Sequence, residues 1–116
     1  QSVSSYDTIG ENFYHGLVLG LCATLDNRFY ITSNRESGEG RYDICLCPKD
    51  GKLPGILIEL KAAKDCPEDE LRQLSEKALA QIDSRKYETE LTVKGVRNIL
   101  KYGVAFSGKR VQITAE

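Results

Sequence analysis

The sequence predicts an α/β fold in which a mixed central sheet of about five strands is flanked by helices. Three observations support this prediction: a helical apolar stripe near the start, three consecutive strand-like segments, and a second helical stripe followed by two more strand-like segments. The first three strands can pair as an antiparallel meander. The second helix can then return the fourth strand beside them, so the predicted order is α-β-β-β-α-β-β with helices on both faces.

The first helix is predicted near residues 9–24. Thr8-Ile9-Gly10-Glu11 has the T-x-x-E pattern of a capping box, which is typical of a helix N-terminus. Phe13, Leu17 and Leu21 then recur every four residues and form one apolar stripe, which Tyr14, Val18 and Cys22 join. Such a stripe predicts a helix that packs one side against a core.

The next three segments are rich in aliphatic, aromatic and β-branched residues, and glycine, proline and asparagine separate them. They predict strands near residues 28–33, 41–47 and 55–61. A second apolar stripe predicts a helix over 67–86, with Pro67 in its first turn. A short third helix is expected near 88–94, and two further strands near 103–107 and 111–114.

At 116 residues the chain has the size of one domain, spanning residues 1–116. It contains no methionine, so we expect it to be a piece of a longer or processed protein. The formal net charge is −1, which argues against strong sequence-independent binding of nucleic acid but does not exclude a local basic surface. No apolar run is long enough to span a membrane.

The four cysteines contain no C-x-x-C pair, and the chain has one histidine. A zinc site is therefore not expected. Two of the cysteines, Cys45 and Cys47, lie in a predicted buried strand, where free cysteine packs as a small hydrophobe. This usage predicts a reducing, cytoplasmic setting.

Charged residues interrupt two of the strands that should be buried. Asp43 lies in the second predicted strand, and Glu59 and Lys61 lie on one side of the third. Unpaired charges are costly to bury, so these residues need a purpose. Neighbouring strands are about 4.8 Å apart, which lets the two carboxylates share a small cation. An ion pair at a strand end, with Asp43 in a turn, is the structural alternative.

This arrangement suits metal-assisted hydrolysis of a phosphodiester. Mg²⁺ or Mn²⁺ prefers carboxylate oxygens, and Lys61 could orient water or stabilise charge on the phosphate. Two carboxylates and one ammonium leave a net negative cluster in the absence of the cation.

The chain resembles the PD-(D/E)XK nuclease superfamily, which has the restriction-endonuclease-like fold. Within it, the chain is similar to the domain found at the C-terminus of bacterial proteins that begin with an AAA-type ATPase-like domain. In place of the family's proline, Tyr42 precedes Asp43. The matching stretches cover nearly the whole chain: Glu11-Asn12-Phe13-Tyr14-His15-Gly16-Leu17, Gly38-Glu39-Gly40-Arg41-Tyr42-Asp43, Ile58-Glu59-Leu60-Lys61, Ala80-Gln81-Ile82 with Tyr87, and Lys101-Tyr102-Gly103-Val104-Ala105-Phe106.

The resemblance implies further site residues. Glu11 matches an acid that joins the metal cluster in many members, although as part of a capping box it could bond only the backbone of Thr8. His15 could face the site and bind substrate, or serve as a packing residue. Gln81 matches a glutamine that points into related sites, with a core amide as the alternative.

Two more residues are candidates for substrate contact. Tyr87 could pack while offering its hydroxyl, and Arg41 could contact phosphate or remain a solvated loop charge.

Two functions follow as hypotheses. The first is a Mg²⁺- or Mn²⁺-dependent nuclease with DNA as the expected substrate, RNA as the alternative, and Asp43, Glu59, Lys61 and Gln81 as catalytic residues. The second is an inactive nuclease-fold module that serves as a binding or regulatory appendage of an ATPase. The implied partners are nucleic acid and the ATPase-like domain of the same parent chain. A homodimer is compatible with both, and no membrane is expected.

Overall fold

The computed structural model describes residues 8–36 and 41–116, apart from the side chains of residues 8–13, 35, 36 and 41. The predicted order of elements is confirmed, including the short third helix. The elements are helix α1 (Thr8–Cys22), strands β1 (Phe29–Glu36), β2 (Arg41–Pro48) and β3 (Gly55–Ala62), helices α2 (Glu68–Ala80) and α3 (Glu88–Val93), and strands β4 (Ile99–Ser107) and β5 (Arg110–Ala115), with 3₁₀ turns at Ala23–Leu25 and Ser84–Lys86.

These strands form one sheet in the order β1-β2-β3-β4-β5. The pairs β1–β2, β2–β3 and β4–β5 are antiparallel, whereas β4 lies parallel to β3. A parallel pair needs a long crossover connection, and α2 and α3 provide it. The predicted mixed sheet is therefore confirmed.

Helix α2 is shorter than predicted, because it ends at Ala80 rather than at residue 86. Beyond it, the carboxylate of Asp83 accepts a hydrogen bond of 3.1 Å from the backbone amide of Arg85 and begins the turn Ser84–Lys86. Aspartate competes for backbone hydrogen bonds in this way and favours turns over helix interiors. The turn redirects the chain and brings Tyr87 onto the sheet.

Strand β4 starts at Ile99, whereas the local sequence predicts a start near residue 103. Its parallel ladder with β3 runs from the pair Gly55 and Ile99 to the pair Ala62 and Phe106. Pairing with the neighbouring strand extends β4 through residues whose local pattern is mixed.

Helices cover both sides of the sheet, as predicted. On the α1 face, the Tyr14 ring stacks on Phe106 with ring centroids 4.3 Å apart. On the opposite side, here called the α2 face, Leu91 of α3 packs in a core cluster with Cys45 and Leu57. Each side of the sheet thus contributes to a separate part of the core.

The four cysteines are free and buried. Burial raises the pKa of the Cys45 thiol to about 12, and nearby Glu90 adds to the rise. The thiol form therefore dominates at neutral pH, and Cys45 acts as a packing residue.

No helix within residues 8–36 and 41–116 is long and apolar enough to cross a bilayer.

Candidate active site

The two predicted acids lie side by side. Asp43 of β2 is the register partner of Glu59 of β3, so both side chains project from the same face of the sheet. Both are buried, with 7% of Asp43 and 1% of Glu59 exposed. The prediction that Asp43 lies on the strand beside Glu59, with both acids on one face, is confirmed.

These acids belong to a row that crosses the whole sheet. Asn34 of β1 pairs with Asp43, Glu59 pairs with Gly103 of β4, and Gly103 pairs with Thr114 of β5. Because paired residues share a face, the row lies on the α2 face. We call these five positions the polar row.

The lack of a side chain at Gly103 allows α2 to pack closely against this row. A Cβ at Gly103 would overlap the carbonyl oxygen of Ser75 and the amide nitrogen of Leu79, and would lie 2.9 Å from the Leu79 Cα. One strand further on, Ser75 Oγ lies 2.7 Å from the hydroxyl oxygen of Thr114. The helix backbone therefore contacts the sheet directly beside Glu59.

Gln81 follows two residues after this contact, as the C-cap of α2. Its next neighbour, Ile82, packs against the cluster that contains Leu57 and Cys45, so the segment crosses from β4 toward β2. The side-chain oxygen of Gln81 is buried and accepts no hydrogen bond from the described residues. A buried amide oxygen of this kind is available to a ligand.

Asp43 is held by two side chains from the turn after α2. Lys86 Nζ lies 2.8 Å from one carboxylate oxygen, and the Tyr87 hydroxyl donates a hydrogen bond of 2.7 Å to the other. Asn34 in turn donates from its amide nitrogen to the Tyr87 oxygen at 3.0 Å. The orientation of the Asp43 carboxylate is thus fixed by this chain of contacts.

The Tyr87 hydroxyl keeps its proton at neutral pH. Burial raises the pKa of Tyr87 well above its ordinary value of 10.0, and the hydrogen bond to Asp43 raises it further. The hydrogen bond from Asn34 acts in the opposite direction but is the smaller influence. Tyr87 is therefore a donor to Asp43.

Lys61 projects from the α2 face two residues beyond Glu59, and only 3% of it is exposed. With Lys86, the described side chains of the site include two carboxylates and two ammonium groups. The expectation of a net negative cluster counted Lys61 alone and did not include Lys86, which lies 2.8 Å from Asp43.

His15 does not join the acids. Its ring stacks on Tyr42 with centroids 3.7 Å apart, and its Nε2 contacts the Ser33 hydroxyl. Tyr42 immediately precedes Asp43, and successive strand residues face opposite sides of the sheet. His15 therefore packs on the α1 face, and its prediction as a substrate contact beside the acids is corrected to a packing role.

Two other predicted residues have side chains outside the described part of the structure. Glu11 lies within α1, and Arg41 pairs through its backbone with Lys61. Neither a third carboxylate ligand nor a phosphate contact at these positions is tested. Both stay predictions.

Sequence reasoning missed Asn34 and Lys86. Asn34 falls one residue beyond the predicted first strand, and Lys86 falls inside the overextended second helix. A signal for Lys86 was present, because it directly precedes Tyr87, one of the residues that matched the family.

Within the described residues, no group of three or more histidine, cysteine, aspartate or glutamate side chains is placed to hold a metal. Among the described residues, the oxygen atoms on the α2 face that could bind a cation include the carboxylates of Asp43 and Glu59 and the buried amide oxygen of Gln81. Oxygen donors of this kind fit a hard divalent cation such as Mg²⁺ or Mn²⁺. The residues of the site are thus chemically suited to the ion that the resemblance implies.

Comparison with known proteins supports this interpretation of the fold. A family model described as the PD-(D/E)XK nuclease superfamily matches residues 9–116. Neither a search of curated proteins nor a search of solved structures gave a significant match. The matched region contains all five described strands, the polar row, helices α2 and α3, and α1 apart from its first residue. The chain belongs to the PD-(D/E)XK nuclease superfamily.

Proposed function

We propose that the chain is a nuclease that hydrolyses phosphodiester bonds with the help of Mg²⁺ or Mn²⁺. The observation that carries this proposal is the pair of buried carboxylates, Asp43 and Glu59, in direct register beside Lys61 on one face of the sheet. Buried charges of this density on adjacent strands are unfavourable for folding alone. Their presence is best explained by chemistry at this face.

Asp43 and Glu59 would hold the divalent cation, and the Gln81 amide oxygen could serve as a further metal ligand. When bound, the cation would neutralise charge on the phosphodiester and make a water molecule more acidic. The buried side-chain oxygen of Gln81, which accepts no hydrogen bond from the described residues, would then have a partner.

The other residues of the site have separate tasks. Lys61 would orient the attacking water and stabilise negative charge that develops on the phosphate. Tyr87 positions Asp43 by donating to it, and Asn34 fixes the Tyr87 hydroxyl. Lys86 neutralises Asp43 until the cation arrives.

We further propose that the substrate is DNA rather than RNA, and that an ATPase-like domain of the same parent chain is the partner. Both proposals rest on the family resemblance of the quoted motifs. A homodimer is compatible with this arrangement.

A second function is favoured by one observation. Both carboxylate oxygens of Asp43 are already engaged, by Lys86 and Tyr87. A nuclease-fold module that has become a non-catalytic appendage of an ATPase would keep such a closed arrangement. The two functions differ in whether a divalent cation displaces Lys86.

The test is a cleavage assay on plasmid, linear duplex and single-stranded DNA and on RNA, with Mn²⁺, Mg²⁺ or a chelator. The nuclease proposal expects metal-dependent cleavage that is lost in both Asp43→Asn and Lys61→Ala. Loss of cleavage with retained Mn²⁺ binding is expected for Lys61→Ala, because lysine offers no ligand to a hard cation. No turnover of any substrate by the wild type would favour the appendage.

A further inference from the structure

Two lysine side chains lie over the ring of Tyr30, an exposed tyrosine on the edge strand β1. The ammonium nitrogens of Lys49 and Lys94 lie 5.0 Å and 4.7 Å from the centroid of the Tyr30 ring. Tyr30 itself is 47% exposed. Among the described residues, neither lysine lies within salt-bridge distance of a carboxylate. Two like charges are thus gathered at one aromatic side chain, and no salt bridge between described residues pairs either of them.

Three turns meet at this end of the sheet. The Lys49 amide donates to the Arg28 carbonyl at 2.8 Å, and a Cβ at Gly51 would lie 3.1 Å from the Lys94 carbonyl oxygen. These turns contain two carboxylates, Asp26 and Asp50. They also contain five exposed cationic residues, which we call the basic end: Arg28, Lys49, Lys52, Lys94 and Arg97.

The basic end also includes an open cleft of about 530 Å³. Lys52 and Arg97 contribute its charged side chains, and no acid of the described part of the chain lines it. A cleft of this size that presents only positive charge fits a phosphate-containing group better than a neutral or cationic ligand.

The polar row and the basic end are connected along one face of the sheet. Tyr30, Thr32 and Asn34 alternate along β1, all three are exposed, and all three project from the α2 face. Asn34 is the register partner of Asp43. Tyr30 is four residues from Asn34, so the separation along the strand is about 13 Å. This span corresponds to about four nucleotides at 3.4 Å of helix rise each.

We propose that the basic end, centred on Lys49, Lys94 and Tyr30, binds the phosphate backbone of the nucleic-acid substrate and positions it along β1 toward Asp43 and Glu59. This inference rests on the proposed nuclease function and adds where the substrate is held. It also explains how a chain with a formal charge of −1 can bind a polyanion, because its positive charge is concentrated at one end.

The experiment measures binding of fluorescently labelled duplex and single-stranded DNA and of RNA by anisotropy, in a chelator so that nothing is cleaved, over a series of KCl concentrations. The double variant Lys49→Gln/Lys94→Gln removes two phosphate contacts. Its affinity at low salt should fall roughly tenfold or more, and the slope of log K against log salt should become shallower by about 1.8 for duplex or about 1.4 for single strands.

The matched control is Lys64→Gln/Lys77→Gln. These exposed lysines lie beyond the opposite end of β3 and on α2, and the substitution changes the net charge equally. The control should keep the wild-type salt slope. An equal loss in both double variants would overturn this inference alone. Failure of the wild type to bind any of the nucleic acids would overturn both the inference and the nucleic-acid substrate of the proposed function.

Discussion

The two faces of the sheet differ at positions one residue apart. On the α1 face, Tyr42 and Leu60 pack with Val104 in an apolar cluster. On the α2 face, the adjacent residues Asp43 and Glu59 form a buried acidic pair. The strands are the same, so backbone pairing cannot explain the difference. One face therefore contributes stability through apolar burial, whereas the other holds charges that only a ligand or counter-ions can satisfy.

The α1 and α2 faces also differ in what lies between helix and sheet. Under α1, the space between helix and sheet is filled by side chains such as Tyr14 and Phe106. Under α2, Gly103 brings the helix backbone against the sheet, and the chain then passes over Glu59 to Tyr87. The close approach of α2 is what places the turn after the helix beside the acids.

The largest expected effect on stability comes from a substitution that obstructs the close contact between α2 and the sheet. Gly103→Ala should destabilise the protein by about 3 kcal/mol, because the new Cβ meets backbone atoms of Ser75 and Leu79 that cannot move independently. Chemical denaturation measures the loss. Gly20→Ala in α1 is the matched control, since nothing lies within 4 Å of its Cβ. It should stabilise by about 0.5–1 kcal/mol, and an equal response of the two variants would contradict the packing described here.

Tyr87→Phe tests how much the single hydroxyl that donates to Asp43 contributes to stability. It should lower stability by about 1–2 kcal/mol, because it leaves a buried carboxylate oxygen of Asp43 without its donor. Tyr102→Phe removes a hydroxyl that makes no hydrogen bond within the described residues, and it should change stability by less than about 0.5 kcal/mol. Thermal unfolding of both variants checks the difference. Equal effects would show that Tyr87 acts through its ring alone.

Lys86→Gln tests whether this lysine competes with a cation. Removing its charge from Asp43 should tighten Mn²⁺ binding roughly two- to tenfold, equivalent to about 0.4–1.4 kcal/mol. Arg85→Gln is the control, because Arg85 pairs with Asp83 instead of Asp43. Calorimetric titration compares the two. Unchanged Mn²⁺ binding in Lys86→Gln would mean that Lys86 does not compete with the cation, and weaker binding would mean that it supports the site.

The smallest effect belongs to the apolar face. Burial lowers the pKa of His15 below its ordinary value of 6.5, so the unfolded chain binds a proton more readily than the folded one. The free energy of unfolding should therefore be retained above pH 6.5 and should fall as the pH drops from 6.5 toward the folded-state pKa. His15→Phe should make the melting temperature less dependent on pH between about pH 5 and about pH 8. An unchanged pH profile would contradict burial of this imidazole.

Much of this arrangement could be predicted because it follows from local pattern. The alternation in Ile58-Glu59-Leu60-Lys61 places Glu59 and Lys61 on one face, and the hairpin before it places Asp43 on the neighbouring strand. His15 was harder, because its helical position does not say which face of the sheet the helix covers. Lys86 and Asn34 were missed since both depend on where an element ends, which packing and turns decide.

The central claim is that Asp43 and Glu59 together form a cation site on the α2 face. Isothermal titration of Mn²⁺ into the folded protein tests it most directly, with wild type, Asp43→Asn and Glu59→Gln compared under one condition and folding verified by circular dichroism. The wild type should bind Mn²⁺, and each variant should lose at least about tenfold in affinity, because each lacks one charged oxygen ligand. A wild type that binds no Mn²⁺, or variants that bind it as tightly as the wild type, would contradict the claim.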